Sequence, residues 1–220
     1  MKIDEKLLIL RVQMEKDGID AYILPSADPH QSEYLPEYWK IREWISGFTG
    51  SAGTAMVTKK HAGLWTDSRY FIQAEQQLRD NTFVLHKHLN RSNPSYADWI
   101  VSNLKENAVV AVDKLLFSVG QINALEKKFI RHNIHLRFTN DYMSKVWNER
   151  PSLPTNKIFE HDISFAGKSR VDKIQEIRNE MIGQNIDHHL ITKLDDIAWT
   201  YNLRGKDVEC NPVFISYAVI

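Results

Sequence analysis

Cysteine is nearly absent: Cys210 stands alone in 220 residues. An intramolecular disulfide and a cysteine-built zinc cluster are therefore excluded. A reducing, cytosolic home is the simplest reading. A surplus of either charge is also missing, because 28 Lys and Arg balance 28 Asp and Glu. No chain-wide positive field exists to grip nucleic acid or anionic lipid, although a local patch stays open. Long apolar runs are lacking too. The N-terminus, MKIDEKLLILRVQ, holds only Leu7 to Leu10 as an unbroken apolar stretch before Arg11. A signal peptide needs more than that, and a small-residue cleavage site. Nothing approaches the ~18 apolar residues of a membrane span. What is there, 43% hydrophobic and 25% charged residues, suits a soluble globular chain with material for a core.

The apolar pattern predicts alternating helices and strands. Leu7, Leu10 and Met14 recur on one side of a first helix that Asp4 can cap and Gly18 ends. Residues 20–24 read as a short buried strand stopped by Pro25. Further strands are expected at 54–58, 63–66, 82–86, 109–112 and 134–138, and helices at 68–79, 95–104 and 119–131. Strands 54–58 and 63–66 are joined by a tight link, which predicts a hairpin. The fold class is thus α/β, with a mixed β-sheet flanked by helices.

Arg150-Pro-Ser-Leu-Pro-Thr-Asn156 reads as an inter-domain linker. It sets a first domain at 1–150, a linker at 151–157 and a second, similar domain beginning at 158–220. A repeat supports this. Residues 11–20 (R-V-Q-M-E-K-D-G-I-D) and 178–187 (R-N-E-M-I-G-Q-N-I-D) share Arg, Met, Ile and Asp at the same spacing, and each precedes a mostly apolar stretch. The last residues, Asn211-Pro-Val-Phe-Ile-Ser-Tyr-Ala-Val-Ile220, form an apolar, β-branched run with no turn signal. The second domain is therefore expected to be incomplete, and the chain to be a piece of a longer polypeptide.

Few residues read as chemistry. Gly47-Phe-Thr-Gly50-Ser-Ala-Gly53 leads into a strand and lacks a lysine, so it is read as a structural turn, not a phosphate loop. Asp28-Pro-His30-Gln-Ser-Glu33 is read as a hydrogen-bonded loop, not a metal site. His86 with His88, and His188 with His189, are read as ordinary polar positions. There is no G-x-S-x-G elbow, and Cys210 lacks a recognisable base. Asp67-Ser68-Arg69-Tyr70 is different. Either Asp67 or Ser68 can cap the following helix. Arg69 then falls where the helix dipole disfavours a cation, so it needs a partner: a structural carboxylate, or a ligand at the end of the sheet.

Several segments together resemble the aminopeptidase P (Xaa-Pro aminopeptidase) family, which shares its architecture with creatinase and prolidase. They are 25–34, Ser46-Gly-Phe-Thr-Gly-Ser-Ala-Gly-Thr-Ala55, Leu64-Trp-Thr-Asp-Ser-Arg-Tyr-Phe71, 195–205 and 211–217. The likeness is greatest to the three-domain, cytosolic branch, with Ser68 where that branch often has glycine in W-T-D-G-R-Y. The resemblance implies two related N-terminal domains followed by a C-terminal pita-bread catalytic domain. It implies that two divalent ions, usually manganese, are held there by Asp, Asp, His, Glu and Glu. Those motifs do not occur in residues 1–220, so no catalytic or metal-ligating residue is assigned, and this chain alone is expected not to hydrolyse peptides.

The implied role is auxiliary: covering the active-site mouth and helping to build a cytoplasmic homodimer that removes the residue before proline. Nucleic acid and membrane are not expected partners. Arg69 matches the arginine that contacts peptide substrate in three-domain relatives, and its planar donors suit a carboxylate or carbonyl. A stand-alone binding or assembly module without chemistry is the alternative. Creatinase-like hydrolysis of a small C–N substrate by the parent is a third.

Overall fold

In the computed structural model, which describes residues 1–88 and 94–220, the chain forms two compact units. One comprises Met1–Gln31 and Trp39–Pro151, the other Ser32–Tyr38 and Ser152–Ile220. The division falls at Pro151, inside the proline-bearing stretch. Ser32–Tyr38, placed by the sequence in the first domain, groups with the second unit.

The first unit runs α1 (Ile3–Lys16), β1 (Ala21–Pro25), α2 (Ile41–Ser46), β2 (Thr54–Thr58), β3 (Ala62–Thr66), α3 (Phe71–Gln77), β4 (Val84–Lys87), α4 (Tyr96–Asn103), β5 (Val109–Asp113), α5 (Val119–Phe129) and β6 (His135–Thr139). The strands form one sheet in the order β4-β3-β2-β1-β5-β6. β1, β2 and β3 pair antiparallel, and the three outer pairings are parallel. The sheet is mixed as expected, because the 54–66 hairpin is inserted between strands joined by helical crossovers. β1 is central, and Ala21 to Leu24 are all buried, which explains its unbroken apolar run. Leu7, Leu10 and Met14 press α1 into the core. Each such side chain contributes about 1.5–3 kcal/mol.

Three local expectations shift. Lys2, not Asp4, is the N-cap of α1. Asp4 sits in the first turn, where its carboxylate meets the positive end of the helix dipole and accepts from Thr82 Oγ1. The helix expected over 68–79 splits into a 3-10 turn, Ser68–Tyr70, and α3. Finally, α2 is a helix the sequence reading did not identify, being too short to show a period.

The second unit contains β7 (Phe159–Glu160), α6 (Ile163–Ala166), α7 (Arg170–Gly183), β8 (Leu190–Ile191), α8 (Leu194–Tyr201), β9 (Leu203–Arg204) and β10 (Ala218–Val219). β7 pairs with β9 and β8 with β10, both antiparallel. Of the apolar run at 211–220, only Ala218–Val219 is strand, and the backbones of Ile220 and His189 exchange two hydrogen bonds. Ile191, Leu194, Ile197, Val213 and Phe214 form the core. Lys173 is buried beside it: Nζ donates to Trp199 O at 2.8 Å and Asn202 Oδ1 at 2.6 Å. Among the described residues, no helix is long and apolar enough to cross a membrane.

Candidate functional site

Three loops meet at one end of the first unit's sheet. β1 ends there, β2 begins there and β3 ends there, as the pairings Pro25↔Thr54 and Thr54↔Trp65 require. The loops are therefore the residues after Pro25, the glycine-rich 47–53 segment and the Asp67–Tyr70 turn.

Arg42 holds the glycine-rich loop. This α2 residue is buried, and its guanidinium donates to the carbonyls of Phe48 and Gly50 while stacking 4.8 Å from the Phe48 ring centre. Its Nε donates to Ser26 Oγ at 2.8 Å, and that hydroxyl donates on to Gly53 O at 3.0 Å. Burial pushes the guanidinium pKa down to about 10, still charged at neutral pH. Thr66 Oγ1 donates to Ala52 O at 2.7 Å, and the Ser51 and Tyr70 hydroxyls share a hydrogen bond of 2.7 Å. Gly50 is a true close approach, because a Cβ there would lie 2.3 Å from the Phe48 ring and 2.6 Å from the Tyr70 ring. The loop is thus an arginine-clamped turn, in keeping with its structural reading. The sequence reading missed Arg42. Its only signal was a cation between Ile41 and Ile45 in a stretch without visible periodicity.

Asp67 and Arg69 form an exposed fork. Arg69 Nε donates to Asp67 Oδ1 at 2.9 Å and Nη2 to Oδ2 at 2.8 Å. Asp67 Oδ1 also caps the 3-10 turn by accepting from Arg69 N at 3.1 Å. Of the two candidate caps, Asp67 is the one used. The Arg69 hydrogen bond holds the Asp67 carboxyl below its usual pKa. The Arg69 side chain keeps 65% of its surface exposed, and the guanidinium lies 5.3 Å from the Tyr70 ring centre. Beside the fork, Asp67, Gly53, Thr66, His88 and Tyr96 line a cleft of about 230 Å³.

The remaining candidates separate. Asp28 is buried, its Oδ1 accepts from His30 N at 2.9 Å, and its carbonyl accepts from Gln31 N at 3.0 Å, so this is a hydrogen-bonded loop. His188, His189 and Cys210 are exposed. His86 and His88 part company: His88 lies beyond β4 in the cleft, while His86 meets His61, with the two Nε2 atoms 3.1 Å apart. The sequence, which treated the histidines as scattered, showed no sign of that pair because its members come from different turns of chain. Among the described residues, no group of three or more His, Cys, Asp or Glu converges to hold a metal. The side chains of the described residues do not fit the pair of ions that the resemblance implies.

Two family models, both described as the Creatinase/Prolidase N-terminal domain, match residues 6–138 and 149–220. The chain is 40% identical over 223 residues to aminopeptidase P2 of Arabidopsis thaliana, covering 99% of this chain and 31% of that protein. It is 41% identical over 219 residues to Xaa-Pro aminopeptidase 2 of Rattus norvegicus, covering 98% and 32%. The crystal structure of X-prolyl aminopeptidase from Caenorhabditis elegans, described as a cytosolic enzyme with a di-nuclear active site, superposes with a TM-score of 0.91 at 31% identity. That match covers 100% of this chain and 37% of the other. The chain spans about a third of the length of the curated relatives it matches. From sequence and backbone alike, it belongs to the creatinase/prolidase N-terminal domain family.

Proposed function

We propose that this chain is the non-catalytic N-terminal region of a metal-dependent Xaa-Pro aminopeptidase. It shapes access of peptides with proline at the second position and takes part in assembling a cytoplasmic homodimer. The observation that carries this reading is the end-to-end likeness to the C. elegans enzyme, which is confined to 37% of that chain. In this reading two divalent ions, manganese by family habit, are held in a separate catalytic domain. The two family matches, at 6–138 and 149–220, support a first domain at 1–150 and a second at 158–220. Exposed Phe165, Val171 and Ile182 on the second unit support further polypeptide packing there.

Within this reading, Arg69 binds substrate. Its fork geometry engages one carboxylate, its side chain stays largely exposed beside the cleft at the end of the sheet, and planar guanidinium donors suit a peptide carboxylate or carbonyl. The test is direct. The purified 220-residue chain, supplied with manganese and an Xaa-Pro peptide, is expected to show no cleavage. Turnover that co-purifies with the chain would overturn the assignment.

A further inference from the structure

The first unit carries a second cluster, on the face of β3 and β4. His61 Nε2 and His86 Nε2 face each other at 3.1 Å. Each ring is held by a tryptophan. His86 stacks on Trp65 at 4.0 Å with planes 4° apart, and His61 stacks on Trp99 at 4.4 Å with planes 17° apart. Trp65 is fixed in turn, its Nε1 donating to Pro94 O at 3.2 Å. Gly63 makes the approach possible. A Cβ there would lie 2.5 Å from the Trp65 ring and 2.8 Å from His61 Nε2.

We propose that His61 and His86 form a two-imidazole site for one zinc- or copper-class divalent cation. The spacing supplies the first argument. Two Nε2 ligands bound cis to one ion through bonds of ~2.0–2.1 Å stand about 3 Å apart. The pair therefore already has the bite of a chelate, with both rings locked by stacking. Protonation supplies the second. Burial lowers the His61 pKa, and burial together with His61 lowers that of His86 to about 4, so both rings are neutral at pH 7. Without an ion, one Nε2–H donates to the other nitrogen. Binding needs only that this proton move to Nδ1 of the same ring, freeing both Nε2 lone pairs.

Access supplies the third. His61, Lys59, Trp99 and Glu106 border a cleft of about 690 Å³, from which water completes the coordination. Among the described residues, no third His, Cys, Asp or Glu joins the pair. The Arg11 guanidinium acts on His61 as a neighbouring positive charge. That charge opposes every divalent cation alike, so selectivity rests on the neutral imidazole nitrogens, which favour late transition ions over magnesium or calcium.

The experiment titrates the 220-residue chain with Cu²⁺ while following tryptophan fluorescence, and with Zn²⁺ while following Tm. Expected are saturable 1:1 quenching, a Zn²⁺-dependent rise in Tm, and no rise with Mg²⁺ at the same concentration. His61→Gln and His86→Gln each weaken binding at least tenfold, while His88→Gln leaves it within twofold. Equal binding by the parent and both pair variants overturns the site, as does absence of saturable binding by the parent. Should either variant fail to fold, imidazole ¹⁵N spectra of the parent decide: the Nε2 signals of His61 and His86 shift with Zn²⁺, and unmoved signals refute the proposal.

Discussion

Gly18 and Asn185 hold the same left-handed turn at the ends of α1 and α7, with φ of +62° and +55°. Behind each, an isoleucine amide closes the helix on a methionine carbonyl: Ile19 to Met14 at 2.8 Å, and Ile186 to Met181 at 2.9 Å. The repeated sequence therefore encodes one C-terminal cap used twice. A Cβ on Gly18 would touch nothing within 4 Å, so only backbone strain opposes substitution. Gly18→Ala is expected to cost about 1 kcal/mol in urea unfolding. Gly18→Asn should cost less than half of that, since asparagine already serves at position 185. Equal losses for the two variants would show that the caps are not equivalent.

Arg42 has a larger expected effect because it is buried and donates to two buried carbonyls and a hydroxyl at once. Arg42→Lys keeps the charge but cannot reach Ser26, Phe48 and Gly50 together. A loss of roughly 2 kcal/mol in chemical denaturation is expected. Protease sensitivity should rise within 47–53, where the clamp is released, before it rises elsewhere.

The elements that read clearly from sequence are those with a strong period or a continuous apolar run. Leu7, Leu10 and Met14 mark α1, and Ala21 to Leu24 mark a strand buried on both faces. The 54–66 hairpin was legible because its link is too short for a crossover. Arg42 was not legible, since six residues give no period and an arginine in the core looks like a surface residue until its carbonyls are seen. Nor was the pairing of His61 with His86, which depends on β3–β4 register and on the missing side chain of Gly63. Asp67 and Arg69 were legible as a conflict, a cation in a first turn. The structure resolves that conflict by a side-chain fork two residues long.

His86 predicts an acid-sensitive first unit. Its folded-state pKa lies near 4, below the ordinary value of 6.5 that it regains on unfolding. Between those values the unfolded chain binds the extra proton, so stability is full above about pH 6.5 and falls as pH drops toward 4. Tm of the parent should therefore decline over that interval more steeply than Tm of His86→Gln, which cannot take up this proton. Parallel Tm–pH curves would show that the ring does not carry the effect.

The proposed substrate role of Arg69 is tested by a variant that separates stability from substrate handling. The ion pair of Arg69 with Asp67 is exposed on both sides, and exposed pairs contribute about 0–1 kcal/mol. Arg69→Ala should therefore leave unfolding of the 220-residue chain within about 0.5 kcal/mol of the parent. In the full-length protein the same change should lower kcat/KM for an Xaa-Pro peptide at least tenfold, with bound metal unchanged. Arg69→Lys tests the geometry, because an ammonium keeps the charge but loses the planar fork. If the fork matters, lysine recovers only a small part of the activity; if charge alone matters, it recovers most. An unchanged kcat/KM in Arg69→Ala would leave the residue with a structural role alone.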